Sequence, residues 1–197
     1  EHGTAQNALA ALPEVARNAG VEGYEICPAG VIDAELKAAK AASARLLCLG
    51  EPDYPEALAD IPDAPPLLWA IGDAKLLNRP SVALVGARNA SSLGTRMARA
   101  LARELGAAGF VVVSGLARGV DTAAHAAALD TGTVAVMAGG VDVVYPAENM
   151  TLAGDIAARG LRVSEQPMRM APQARHFPPR NRIVSGLARG VVVVEAA

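Results

Sequence analysis

"SVALVGARNASSLGTRMARALARELGAAGFVVVSGLARGV", residues 81–120, decides the fold. It opens on a continuous apolar run that Gly86 ends. Ser91 and Ser92 then offer helix caps. Leu93, Met97, Leu101, Leu105 and Ala108 recur at helical spacing as one expected apolar stripe, and Gly109 stops the helix. "FVVVSG" is a second buried strand. Strands that are apolar throughout, separated by a helix, suit a parallel sheet covered on both faces.

The same alternation continues downstream. "VDTAAHAAALDTG" reads as a helix, "TVAVMAGG" as a strand, "TLAGDIAARG" as a helix and "LRVSE" as a strand. An Arg-rich loop and the helix "RNRIVSGLARG" precede the strand "VVVVEAA". The expected fold class is α/β, a Rossmann-like three-layer fold with a mostly parallel sheet. Upstream, residues 1–45 are Ala-rich and helical in pattern, with Asp33 as a cap of the second helix and Leu36 on its apolar face. Residues 46–80, rich in Pro and acids, read as a connector that ends in the strand-like "LLWAI". The core then runs over 81–197.

Composition bounds the function. Of 197 residues 52% are hydrophobic but only 3% aromatic, so Ala and Val carry much of the core. No run of apolar residues is long enough for a membrane span, and no charged-then-apolar leader opens the chain. The chain begins at Glu1 and stops just after a strand, so it reads as a piece of a longer protein. Two cysteines without metal-like spacing, and three histidines, argue against structural zinc and fit a reduced, cytoplasmic setting. No cofactor is expected.

The net charge is −2, yet residues 156–194 carry seven arginines against the single acid Glu165. Such a patch on an acidic body focuses an anionic ligand onto one face. After Lys75 every Lys or Arg is Arg, the residue suited to bidentate phosphate recognition.

In this fold class ligands bind at the C-terminal ends of the strands. Four loops gather there: "GARNASS", "SGLARGVD", "AGGVDVVYP" and "SEQPMRMAPQARHFPPRNR". Each is rich in Gly, hydroxyls, Arg or Pro, and helix N-termini behind the first two favour anions. "SGLARGV" occurs at 114–120 and again at 185–191. The first copy leaves a strand and the second precedes one, so it is no repeated structural unit.

A dinucleotide site does not fit, because the first loop is not GxGxxG and no acid ends the second strand. Asp121 and His125 stand one helical turn apart, a weak catalytic pair that reads more simply as a cap and a hydrogen-bonded His. Glu165 can orient an arginine. Phe177 lies among cations beside Pro178 and Pro179. A stiffly presented aromatic of this kind either stacks an unpaired base or plugs the core, and the residues alone leave both open. Arg180 and Arg182 flank Asn181 at a helix start.

At these residues the match becomes specific. "VALVGARNASSLG", "VVSGLARGVDTAAH", "AVMAGGVDVVYPAEN", "SEQP" and "FPPRNRIVSGLARGVVVVEAA" resemble, in order, blocks of the DNA-processing protein A family (DprA, or Smf). The N-terminal segment resembles the tail of the helix-hairpin-helix or sterile-alpha-motif-like domain of many members. The resemblance implies an extended Rossmann fold and a non-catalytic binder of single-stranded DNA. Such a mediator protects incoming strands during natural transformation and loads the RecA recombinase. It also implies a homodimer, with dimer and RecA contacts largely beyond the last strand. By motif position it implies DNA or phosphate contacts at Arg88 and Ser91, at Gly115 and Arg118, and at Gly139 and Gly140. It further implies contacts at Phe177, Arg180, Asn181 and Arg182. The family's basic residue three before the aromatic is Ala174 here, with Arg175 beside it as the candidate. The alternative is a nucleotide-phosphate enzyme of the phosphoribohydrolase class. Its PGGxGT loop is only "AGGVDVVYP" here.

Overall fold

The computed structural model describes residues 2–196. The chain divides into two compact units, residues 1–37 and 38–197. In the first, α1 (Ala5–Asn18) is capped by Thr4, whose hydroxyl accepts from the Asn7 amide at 3.2 Å. Helix α2 (Ala29–Ala41) crosses the boundary between the units. It begins four residues before Asp33, so Asp33 lies inside the helix rather than at its cap, and Leu36 is exposed.

The second unit holds one seven-stranded sheet in the order β1-β2-β6-β5-β4-β3-β7. Its strands are β1 (Arg45–Cys48), β2 (Leu67–Gly72), β3 (Ser81–Val85), β4 (Val111–Ser114), β5 (Thr133–Val136), β6 (Leu161–Ser164) and β7 (Val191–Val193). The five from β6 to β7 in that order are parallel, while β1 and β2 add an antiparallel edge. The expected strand at "LLWAI" is β2, and the connector's start also forms an unexpected strand, β1. "RLLC" is too short to announce itself, but Trp69 pairs with Ser164 and extends the sheet.

The helices are α3 (Glu56–Ala59), α4 (Ser92–Ala107), α5 (Val120–Ala128), α6 (Met150–Arg159) and α7 (Phe177–Leu187). Strand periodicity sorts the core. Val111 and Val113 pack with Leu58 of α3 and Ile183, Val184 and Leu187 of α7. Val112 points the other way, to Ala102 of α4 and to Ala124 and Ala128 of α5. Ala135 meets Ala153 and Ile156 of α6 on that same side.

The buried face of α4 differs from the expected stripe. Leu93 and Met97 are 61% and 47% exposed, and the buried residues are Gly94, Ala98, Ala102 and Gly106. Small side chains let α4 approach closely. A Cβ on Gly106 would stand 2.2 Å from Thr131 Oγ1.

Candidate nucleic-acid interface

The parallel strands end in loops at one end of the sheet, where four side chains meet. The Arg88 guanidinium lies 5.1 Å from the centroid of the Phe177 ring. That of Arg180 lies 5.9 Å from it. The Tyr145 ring stands 5.9 Å from Phe177, tilted by 60°. Arg88, Gly115, Ala117, Arg118, Tyr145, Pro146 and Phe177 line one pocket. A neighbouring cleft of about 270 Å³ shares Arg88, Gly115 and Ala117 and adds Gly86, Asp121, Arg180 and Asn181. Arg88, Arg118 and Tyr145 are exposed, and Phe177 is half-buried.

Local sequence explains the presentation. Pro178 and Pro179 occupy the first turn of α7, where a missing N–H costs nothing, and the helix starts on Phe177 itself. Gly119 adopts φ +76°, and a Cβ there would meet the Ala87 carbonyl at 2.2 Å. Only Gly lets the first and second loops approach so closely.

A buried charge network supports the loops. Arg180 Nη1 donates to the carbonyls of Gly115 and Val136, both at 2.6 Å. Asp121 accepts from the amides of Gly115 and Ala117, both at 3.1 Å. Burial pushes the Asp121 carboxyl up, against the pull of the Ala117 amide and the Arg180 charge. Burial also pulls Arg180 down, against the Asp121 charge. Asn149 donates to the Leu116 carbonyl at 2.9 Å and so fixes the second loop from α6's approach.

Asp121 and His125 do not act on each other. His125 Nδ1 lies 2.7 Å from Thr133 Oγ1, and that hydroxyl donates to the Val112 carbonyl. The hydroxyl proton is thus committed, so Nδ1 carries the hydrogen and the ring is neutral. Complete burial lowers its pKa to about 3.

The other motif residues lie apart from the Phe177 pocket. Ser91 caps α4, accepting from the Gly94 amide at 3.0 Å, while its own hydroxyl donates to Glu195. Gly139 and Gly140 are buried, and the Gly140 amide donates to the Met170 carbonyl at 2.8 Å. A Cβ on Gly139 would stand 2.6 Å from that carbonyl, so these glycines serve loop packing. Arg182 turns to Glu165 in a two-pronged pair at 3.0 and 2.6 Å and also reaches Asp63. The Glu165 hydrogen bonds raise its pKa. Arg175 is exposed, with Nε 3.4 Å from His176 Nε2. Tyr145 and Asn149 escaped the sequence reading. The only available signal was their place in "YPAEN".

Among the described residues no group of His, Cys, Asp and Glu could hold a metal ion, and no helix is long and apolar enough to cross a membrane.

Comparisons with known proteins agree with this geometry. The sequence profile of a family described as DNA recombination-mediator protein A matches residues 45–197, and that of a DprA-like N-terminal HHH domain matches residues 1–38. The chain is 46% identical over 149 residues to the DNA processing protein DprA of Streptococcus pneumoniae, covering 73% of this chain and 51% of that protein. It is 43% identical over 145 residues to DprA of Bacillus subtilis, covering 72% and 49%. It therefore spans about half the length of these curated relatives. The X-ray structure of the S. pneumoniae protein superposes with a TM-score of 0.74 at 34% identity, over 94% of this chain and 72% of that one. DprA of Helicobacter pylori, whose structure concerns single-stranded DNA binding, gives 0.72 at 35% identity, over 78% and 69%. With one profile spanning the sheet and its strand-end loops, the chain belongs to the DNA recombination-mediator protein A family, the DprA or Smf proteins.

Proposed function

We propose that this chain binds single-stranded DNA, without turnover, in the pocket around Phe177. The observation that carries the reading is the partly exposed Phe177–Tyr145 pair with Arg88 over the Phe177 ring. Aromatic faces stack unpaired bases of any sequence, and flanking arginines hold the phosphates between them. Arg88, Arg118 and Asn181 contact the strand, with Phe177 and Tyr145 as its base platforms. Gly115 and Arg180 shape the floor. Ser91, Gly139, Gly140 and Arg182 hold the loops in place, and Arg175 gives a peripheral cationic contact.

Support for a non-catalytic role comes from the buried Asp121 and the half-buried Glu165. Asp121 is committed to loop amides and Glu165 to Arg182. Neither is poised to take a proton from a substrate. The full protein acts, in this reading, in the cytoplasm as a homodimeric mediator that protects incoming strands and passes them to RecA. The free thiols of Cys27 and Cys48 suit that compartment.

The test is fluorescence anisotropy of a labelled oligothymidine, with duplex DNA as competitor and salt as variable. Salt-sensitive binding that duplex fails to displace supports the reading. Binding of a nucleoside monophosphate with release of free base would replace it with the enzymatic one.

A further inference from the structure

The first loop runs from Arg88 straight into α4, and the surface it meets there is basic. At 3.6 residues per turn, Ser92, Arg96, Arg99 and Arg103 fall within an arc of about 60° on this helix. All three arginines are exposed. None takes part in the ion pairs found among the described residues. Glu104, the one acid in α4, projects from another side of the helix. The buried residues of the helix, Gly94, Ala98, Ala102 and Gly106, are centred about 110° round from that arc. The arginine side chains themselves are on the solvent side.

The same face carries an open groove of about 460 Å³ lined by Ala90, Ser92, Thr95, Arg96 and Arg99. Ala90 belongs to the loop that bears Arg88, so loop and groove form one continuous surface. Two hydroxyls beside two cations are phosphate-binding chemistry, and nothing aromatic lines the groove. Arg96 to Arg103 spans about 10 Å along the helix axis, a reach of two or so phosphates of an extended strand.

We propose that the Arg96–Arg99–Arg103 ladder is a second contact for single-stranded DNA, one that grips only the backbone of the strand leaving the Phe177 pocket. The proposal rests on the reading of that pocket as the base-stacking site. A strand long enough to reach both would be held by stacking at one place and by charge at the other.

The test compares the unaltered chain with a triple variant, R96Q/R99Q/R103Q, which keeps helix propensity on an exposed face. The probes are oligothymidines of about 4 and about 20 nucleotides, chosen to fill the pocket alone or to extend past it. The short probe should bind both proteins equally. The long probe should bind the variant more weakly, with a salt slope shallower by about 2. Raising salt fourfold should then cost the unaltered chain roughly 20-fold more affinity than the variant. Equal affinity and equal slope on the long probe would overturn the ladder while leaving the pocket standing. An equal loss on both probes would also overturn it, by showing no separate outgoing contact. Failure of the unaltered chain to bind either probe would overturn the pocket reading and the ladder together.

Discussion

The carboxylate of Glu195 closes on Ser91. Its Oε1 accepts from the Ser91 amide at 3.0 Å, and its Oε2 accepts from the Ser91 hydroxyl at 2.8 Å. The Glu195 carbonyl also accepts from the Ala87 amide at 2.8 Å. The segment after β7 thus clasps both ends of the loop that carries Arg88. It also places a carboxylate where a helix N-terminus favours an anion. A phosphate bound by Ser91 would have to displace an internal carboxylate. Ser91→Ala should therefore act on stability, by about 1 kcal/mol for the lost cap. Its oligothymidine affinity should match the unaltered chain in the same anisotropy assay. A large affinity loss with unchanged melting would place Ser91 on the DNA.

Arg180 is the second residue whose work is internal. It satisfies two strand-end carbonyls. Arg180→Met keeps much of the volume and removes both donors, leaving buried acceptors unpaired. The expected loss of a few kcal/mol lowers the melting temperature by roughly 5–15 °C. Calorimetry would check it, and an unshifted transition would mean that the carbonyls find other partners.

Glu148 faces Arg118, one of the residues that line the pocket. It pairs with Arg118 at 3.6 Å, both side chains being largely exposed. Exposed pairs are weak, so stability should change little in Glu148→Gln. Freeing Arg118 and removing a nearby negative charge should tighten oligothymidine binding by roughly 2- to 5-fold at low salt, an advantage that fades as salt rises. Weaker binding would show that Glu148 positions Arg118 rather than masking it.

His125 sets a pH dependence. Its folded pKa of about 3 lies below the ordinary 6.5. Between these values the unfolded chain takes up a proton that the folded ring refuses. Stability is therefore fully present above 6.5 and is lost as pH falls through that window, at up to about 1.4 kcal/mol per pH unit. Asp121, whose folded pKa is raised above 3.8, works in the opposite direction at the acidic end. His125→Asn offers Thr133 an amide donor near the place of Nδ1 and does not titrate. Thermal unfolding from pH 7 to 4 should fall less steeply in this variant than in the unaltered chain. Parallel curves would exclude the ring as the source.

Much of this arrangement is legible in the sequence, for physical reasons. The parallel strands are short blocks rich in Val, Ala and Leu, most of them ended by Gly or Ser, so β3 to β7 stand out. The small β1 does not, since four residues carry too little pattern. The α4 stripe misleads because its packing face is made of Gly94, Ala98, Ala102 and Gly106. Hydrophobicity ranks these below Leu93 and Met97, although close approach selects them. Phe177 and Arg88 show themselves through the loops that hold them. Tyr145 does not, because a Tyr before a Pro reads as turn chemistry until the third loop is folded against α7. The Arg-rich segment overstated the free charge, since Arg182 is matched by Glu165 and Arg180 by backbone carbonyls. The exposed α4 arginines lie outside that segment and add to the basic surface.

Stacking of an unpaired base on the Phe177 ring is checked by removing the base instead of the strand. Affinities of the unaltered chain and of Phe177→Ala would be measured for an oligothymidine and for an abasic strand of equal length. Stacking is worth about 1–3 kcal/mol per base, so Phe177→Ala should weaken oligothymidine binding by roughly 5- to 150-fold. It should leave the abasic strand nearly untouched. Equal losses on the two strands, or no loss on either, would rule out base stacking and return Phe177 to a role inside the loop packing.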